Sequence, residues 1–355
     1  MQSKEEIIAS FDPNGVAAGN ALFGLPFGLE HSDLVIIPVP WEVTVSYNAG
    51  TADAPNAILE ASTQVDLFIK DIPDAWQMGI HLLDTPESFQ EENRKYRDLA
   101  VRYINWLETN EEDWISDELK VIPKAVDEVS EKLAIYIKSQ AMKWMGQGKL
   151  VGLLGGDHST PLGMIKAMSA THETFGILQI DAHADLREAY EDFTYSHASI
   201  MYNAMQIKNI SRLVQIGIRD FCEEEMNLIN KSNGRIVTYF DEDLKQQLFE
   251  GETWKSICDS IIDKLPQKVY ISFDIDGLEP RFCPNTGTPV PGGLTYEQVI
   301  YLFKQLVNSG RVIIGFDLNE VSPGESEWDA NVGARLLWQM SCLMGASQGK
   351  LQLKA

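Results

Sequence analysis

Short apolar runs recur along this chain, with segments of helical periodicity between them, and several of the runs lead directly into acids and imidazoles. The runs are Leu34 to Pro38, Lys149 to Leu154, Phe175 to Ile180, Leu213 to Ile218, Arg235 to Phe240, Lys268 to Phe273 and Arg311 to Phe316, with Gln77 to Leu82 as a further candidate. They are short and near-continuously apolar, the pattern of strands buried on both faces of a parallel sheet. Between them, Val126 to Met145 carries Val126, Val129, Leu133, Ile137 and Met145 near one helical face, and Glu297 to Leu306 is a second helical segment. Strands alternating with helices predict an α/β fold, a parallel sheet with helices on both faces. No repeat, low-complexity tract or long linker divides the chain, so residues 1–355 read as a single domain. Residues 84–125, rich in Glu, Asp, Tyr and Trp and poor in Gly, read as a helical insertion.

Four of the runs end in polar clusters. The first enters GGDHST, with Asp157 and His158; the second enters DAHAD, with Asp181, His183 and Asp185. The third enters Asp274 and Asp276 in FDIDGLEP, and the fourth enters DLNEVSP, with Asp317 and Glu320. Ligands bind at the carboxyl edge of an open parallel sheet, so these clusters are expected to meet in space. Residues i and i+2 of an extended segment project to one side, so Asp181, His183 and Asp185 can face one point, as can Asp274 and Asp276. With His158 they make four carboxylates and two imidazoles. Gathered without cations, such a set would repel and be costly to desolvate. A mixed nitrogen and oxygen set suits two divalent first-row metals bridged by aspartate. Such a pair, roughly 3.5–4 Å apart, can hold a hydroxide ready for attack near neutral pH.

Each piece alone has a plainer reading. DAHAD is also a capped turn. DIDG resembles the start of a calcium loop, but Gly277 comes too early and Glu279-Pro280 does not continue that pattern. GGDHST resembles a phosphate-binding turn but has no Lys. The joint occurrence at strand ends is what favours the metal reading.

The formal charge of −23 argues against nucleic acid as a partner, because binding phosphates needs a basic surface. An acidic field favours a cationic small molecule and also keeps a protein in solution. No apolar run reaches 18 residues, so no membrane span is expected. MQSKEEIIASF lacks the basic and apolar regions of a secretory signal. Cys222, Cys258, Cys283 and Cys342 form no CxxC pair and read as small core residues in a reducing, cytoplasmic setting.

The motifs resemble the ureohydrolases, the family of arginase, agmatinase, guanidinobutyrase and formimidoylglutamase. The resemblance rests on Gly155 to Ser159 (GGDHS), Asp181 to Asp185 (DAHAD) and Ser272 to Pro280 (SFDIDGLEP). It continues through Thr286 to Pro289 (TGTP), Gly292-Gly293 and Glu320 to Pro323 (EVSP), spanning about Val35 to the end. It implies a three-layer α/β/α arginase-like fold with a parallel sheet of about eight strands, and two Mn²⁺ per chain. One metal would be held by His158, Asp181, Asp185 and Asp274, the other by Asp181, His183, Asp274 and Asp276. His197, in YSHAS, matches the proton-shuttle histidine, and Glu320 the acid that orients the guanidinium. Asp276 would accept a hydrogen bond or proton as the tetrahedral intermediate forms. The implied reaction is attack of a metal-bridging hydroxide on a guanidino carbon, releasing urea. Homotrimers or homohexamers are implied too.

The chain also departs from ordinary arginases and agmatinases. In VPWEVTVSYNAG the stretch reads Tyr47-Asn48-Ala49-Gly50, where agmatinases usually show an Arg before the Gly and a Pro between. Trp328 is unexpected after Glu320. Trp41 and Trp328, with Thr288 of the TGTP segment, are candidate walls of a small cation-friendly pocket, although both tryptophans also suit a core or a subunit contact. A tight pocket would suit an agmatine-like compound or free guanidine, and for guanidine nickel is the alternative metal. Formimidoylglutamate, with two carboxylates, would want basic residues, and the site loops offer only Arg187, Arg219 and Arg281. Arginase activity within the same family is a further alternative. A one-metal zinc deacetylase and a catalytically silent metal-binding subunit are the remaining readings; the complete ligand set disfavours both.

Overall fold

A computed structural model describes residues 2–17, 19–109 and 115–354; positions 110–114 of the 84–125 segment lie outside the described residues. Eight strands form one sheet: β1 (Leu34–Val39), β2 (Ile80–Leu82), β3 (Leu150–Gly155), β4 (Phe175–Ile180), β5 (Ile210–Ile218), β6 (Ile236–Phe240), β7 (Lys268–Asp274) and β8 (Val312–Asn319). Their order is β2-β1-β3-β8-β7-β4-β5-β6, and every pairing is parallel. Parallel strands need crossovers, and helices on both faces supply them. The helices Ala54–Ser62, Trp254–Ile262, Tyr296–Asn308 and Trp328–Ser347 pack against one face. Glu87–Thr109, Ile122–Met145 and Leu162–Thr171 cover the other. This is the three-layer α/β/α arrangement that the apolar runs predict.

Local chemistry sets the helix starts. Thr295 and Gln298 form a reciprocal capping box at Tyr296, and Pro123 sits in the first turn of Ile122–Met145, where its missing N–H costs nothing. Within 84–125 the described residues form Glu87–Thr109 and the short helix Asp117–Lys120. No described helix is long and apolar enough to cross a membrane.

Strand boundaries differ from the sequence reading where polar residues lie inside a strand. β8 continues through Asp317 and Asn319, both fully buried, rather than stopping at Phe316. β5 starts at Ile210, because the polar Ser211 and Arg212 still pair with β4 and the chain alongside it. The candidate at Gln77 to Leu82 is a strand only over Ile80–Leu82, preceded by a 3₁₀ turn at Ala75–Met78.

The order brings β3, β8, β7 and β4 side by side at the centre. These are the four strands whose carboxyl ends carry the acid and imidazole clusters. The chain goes from β1 out to the edge strand β2, returns to β3 beside β1, then crosses to β4 and winds outward through β5 and β6, so the clusters fall where the winding changes side.

Candidate metal centre

Each ligand-type side chain is aimed by its own strand end. Gly155-Gly156 lets the turn after β3 press against residue 41. A Cβ on Gly156 would sit 2.0 Å from the Trp41 carbonyl oxygen, so only glycine fits, and the Asp157 N–H then donates to that oxygen at 2.7 Å. After β4 the Asp181 carboxylate accepts the His183 N–H at 2.7 Å, which curls the DAHAD turn. After β7 Asp274 accepts the Asp276 N–H at 2.9 Å, and Asp276 accepts the Ala182 N–H at 3.0 Å, tying the ends of β7 and β4 together.

Two clusters result. His158 Nδ1 lies 3.0 Å from Asp181 Oδ2, 3.0 Å from Asp185 Oδ2 and 3.4 Å from Asp274 Oδ2. His183 Nδ1 lies 3.0 Å from Asp276 Oδ2 and 3.7 Å from Asp181 Oδ1. His158, Asp181 and Asp185 can each offer an atom to one cation, and Asp181, His183 and Asp276 to another, so Asp181 belongs to both groups. All six predicted ligand residues, Asp274 included, are brought together.

The donor set fits divalent cations on physical grounds. His158 Nδ1 is buried and has no oriented hydrogen-bond partner, although carboxylate oxygens crowd it. Burial raises Asp181, and the neighbouring Asp276 charge adds to the rise. Burial, with Asp181 beside it, lifts Asp185 to about 7. Burial with the charges of Asp276 and Asp181 raises Asp274 far above the carboxylate range. Burial opposes charge on His183, but Asp276 and Asp181 outweigh it and lift the imidazole to about 10. Asp276 runs the other way: His183 overcomes its burial and holds it near 2. Protons are thus retained where positive charge is needed, and cations would replace them.

Outer partners hold the ligands. His158 Nε2 contacts Ser272 Oγ at 3.0 Å, and Ser272 donates to Asp317 at 3.0 Å. Asp317 is therefore a buried support and faces no cleft, unlike its sequence grouping with Glu320. Asp157 is likewise buried, and its carboxylate takes the Ser159 N–H at 3.0 Å. Gln179 donates to Asp181 Oδ2 at 2.7 Å.

A cleft of about 470 Å³ opens above the clusters and reaches His158, His183, Asp185, Asp274, His197 and Glu320. Glu320 Oε1 accepts the His158 N–H at 2.9 Å, linking residues 162 apart in sequence. Burial, with Asp157 nearby, raises the Glu320 carboxyl well above its usual range. The His197 N–H donates to Thr44 Oγ1 at 3.3 Å, and its ring stands edge-on to Tyr190. Burial and the neighbouring His183 and His158 push it down to about 3.

Of the three candidate wall residues, Thr288 lines the cleft and the tryptophans do not. Trp41 is 1% exposed and packs in the core beneath the turn. Trp328 is 45% exposed, and its indole N–H donates to the Arg281 carbonyl at 2.9 Å, away from the cleft. Tyr47, Tyr190 and Phe221 take the aromatic places instead. Sequence reasoning missed them because each sits on a loop without periodicity. Gln179 did carry a signal, as a polar residue inside an apolar run two positions before Asp181.

The model of the arginase family matches residues 32–342. The chain belongs to the arginase family. A Thermus thermophilus N(1)-aminopropylagmatine ureohydrolase is 30% identical over 91% of this chain and 94% of that protein. A Pseudomonas aeruginosa guanidinobutyrase is 26% identical over 90% of this chain and 88% of its own length. The solved agmatine ureohydrolase of Thermoplasma volcanium shares the fold, with a TM-score of 0.70, 21% identity and coverage of 98% of this chain and 99% of that one. Enzymes of this family use a binuclear metal centre, and this arginase-family chain carries the corresponding pair of ligand clusters.

Proposed function

We propose that this chain is a ureohydrolase that cleaves a guanidino C–N bond of a small cationic guanidino compound and releases urea. The observation that carries the reading is the pair of ligand clusters sharing Asp181 at the floor of an acid-lined cleft. His158, Asp181, Asp185 and Asp274 would hold one cation, and Asp181, His183, Asp274 and Asp276 the other. Manganese is the expected metal, with nickel as the alternative. Two bound divalent cations supply a water acidic enough to act as a nucleophile near neutral pH.

The side chains do the rest. Glu320, anchored through one oxygen to the His158 N–H, keeps its carboxylate at the cleft and pairs with guanidinium N–H groups by charge-assisted hydrogen bonds. This pairing turns the planar carbon toward the cluster floor, which is the orientation attack needs. Asp276 accepts a hydrogen bond or proton as the carbon becomes tetrahedral. His197, held neutral by its surroundings and set at the cleft by Thr44, takes up a proton from water at its free ring nitrogen and passes it to the departing amine, returning to the neutral form.

Beyond the metal ligands and Glu320, the cleft is lined, among the described residues, by Asp220 and Glu225 on the acidic side and by Arg187 as its one lysine or arginine. Arg187 lies over the Tyr190 ring and 4.0 Å from Glu225, so it is partly neutralised. This favours an agmatine-like tail, neutral or cationic, over the carboxylate tails of arginine and formimidoylglutamate, which remain the alternatives within the family. The cleft is also larger than free guanidine requires, so guanidine is the second substrate reading.

Urea release from agmatine, N(1)-aminopropylagmatine, arginine, 4-guanidinobutyrate and guanidine, and formamide release from formimidoylglutamate, measured with Mn²⁺ and with Ni²⁺, tests this. The highest kcat/KM is expected with a cationic-tailed guanidine. Preference for arginine or guanidinobutyrate would overturn the tail argument. No turnover of any compound, with two metals bound per chain, would leave a silent metal-binding subunit as the better reading.

The chain acts as a homotrimer or homohexamer, which light scattering would check. It works in the cytoplasm. Residues 84–125 are a helical insertion in a single ureohydrolase domain, and the helix Glu87–Thr109 within it braces the cleft.

A further inference from the structure

One row of side chains crosses the sheet under the two ligand clusters. Asp317 of β8 is the register partner of Ser272 of β7, Ser272 of Gln179 of β4, Gln179 of Gln215 of β5, and Gln215 of Thr238 of β6. Register partners in parallel strands project to the same face, so five polar residues stand side by side where an apolar row would pack equally well. Gln179 and Gln215 are fully buried. A buried amide costs stability unless every polar atom is satisfied, and here each one is.

The hydrogen bonds on the β4–β6 side run one way. Thr238 Oγ1 donates to Gln215 Oε1 at 2.8 Å, Gln215 Nε2 donates to Gln179 Oε1 at 2.7 Å, and Gln179 Nε2 donates to Asp181 Oδ2 at 2.7 Å. Two backbone carbonyls, which can only accept, fix the amide orientations. Gln179 Nε2 also reaches the His183 carbonyl at 3.3 Å, and Gln215 Nε2 the Ala184 carbonyl at 2.7 Å. Neither amide can flip without setting its oxygen against a carbonyl. Aligned donors polarise one another, and this chain ends on Asp181, a carboxylate common to both clusters. The same two amides clip the turn that carries His183 and Asp185.

We propose that Gln179 and Gln215, backed by Thr238, are positioning residues that set the Asp181 carboxylate and the DAHAD turn for cation binding. The inference rests on the reading of Asp181 as a shared metal ligand. With Gln179 replaced by an apolar side chain, Asp181 Oδ2 loses its donor, the His183 carbonyl loses its partner and Gln215 Nε2 loses its acceptor. The carboxylate is then free to rotate, and metal affinity falls before the fold does.

Metal-stripped full-length protein titrated with Mn²⁺ alone, by calorimetry and by metal analysis of the saturated chain, separates the possibilities. Wild type is expected to take two ions per chain; fewer would remove the reading of Asp181 on which the inference stands. Gln179→Met is expected to weaken Mn²⁺ binding about 10–100-fold, the usual effect of losing an outer partner of a ligand. Thr238→Val, which is isosteric, half-buried and three hydrogen bonds away from Asp181, is expected to weaken it less but in the same direction. In the Gln179→Met background Thr238→Val should do nothing further, since the relay is already cut. Unchanged Mn²⁺ affinity in both single variants, with only the metal-free Tm lowered, would mean the row merely packs the sheet and would overturn the proposal. Equal and additive losses in the double variant would overturn the relay.

Discussion

Asp185 and Glu320 both adopt left-handed backbone conformations, at φ 54° and 61°, although neither is glycine. Such positions cost about 1–3 kcal/mol each and persist only where neighbours hold them. The Asp185 carbonyl accepts the Met201 and Tyr202 N–H groups at 3.0 and 3.1 Å, and Glu320 is held by Gly156 through its N–H and by Thr286 through its carbonyl. The strain aims one carboxylate at His158 and the other at the cleft. Glu320→Gln keeps the shape and the bond from His158 but loses the charge. It should lower kcat/KM about 10–100-fold, the size of a charge-assisted hydrogen bond, with metal content unchanged; metal loss would show that Glu320 serves the metals instead. Asp274→Ala should abolish both metal binding and urea release while circular dichroism stays near wild type. Surviving activity would remove Asp274 from the bridging role.

At the scale of elements, the sites of greatest interest lie between a helix and two loops. From Glu87–Thr109, Asn93 Oδ1 accepts the Glu42 N–H at 2.8 Å, and Arg97 donates to the carbonyls of Val43 and Val45. Tyr103 donates to Asp192 at 2.5 Å, beside Tyr190. The helix therefore braces the loop that carries Thr44, Ser46 and Tyr47 and the loop that leads to His197. Arg97→Met should raise KM several-fold with two metals still bound, because the wall moves and the ligand clusters do not. An unchanged KM would reduce the helix to packing. The helical character of this segment was readable from composition, but its contacts were not. They depend on where Glu87–Thr109 lies against a loop about fifty residues earlier, as the 51-residue separation of Asn93 from Glu42 shows.

For the molecule as a whole, the cluster links metal, protons and stability. Asp185 rises to about 7 and His183 to about 10 in the folded, metal-free chain. Both folded values exceed the unfolded ones, so the native state binds more protons and stability falls as pH rises. The Asp185 contribution is present below the ordinary carboxylate range and is lost as pH rises through about 7. The His183 contribution is present below about 6.5 and is lost toward 10. Bound cations remove this penalty. The gain in Tm on adding Mn²⁺ should therefore grow from pH 6 to pH 8, and metal binding at pH 7 should release protons, read by calorimetry in buffers of different ionisation enthalpy. A metal-induced Tm gain independent of pH would contradict the charge balance of the site.

The sequence alone determined seven apolar runs, their alternation with helices, and the order of GGDHS, DAHAD, DIDG and EVSP at strand ends, and offered the eighth strand as a candidate. These are local properties: period, apolar content and residue spacing are written in consecutive positions. It also named the six residues that meet in the two clusters, because i and i+2 spacing and strand-end position both survive folding. It left Trp41 and Trp328 open between a pocket wall and a core or subunit contact, and it grouped the buried Asp317 with the cleft residue Glu320. Those distinctions depend on which way a side chain leaves the backbone and what lies opposite, which adjacent residue types do not encode. Only the tertiary structure decided that β8 and β7 return between β3 and β4, setting His158 against Asp181 and Glu320. The pairing that produces this order joins strands far apart in the chain, and its register, down to Gln179 facing Gln215, is fixed by packing over the whole sheet.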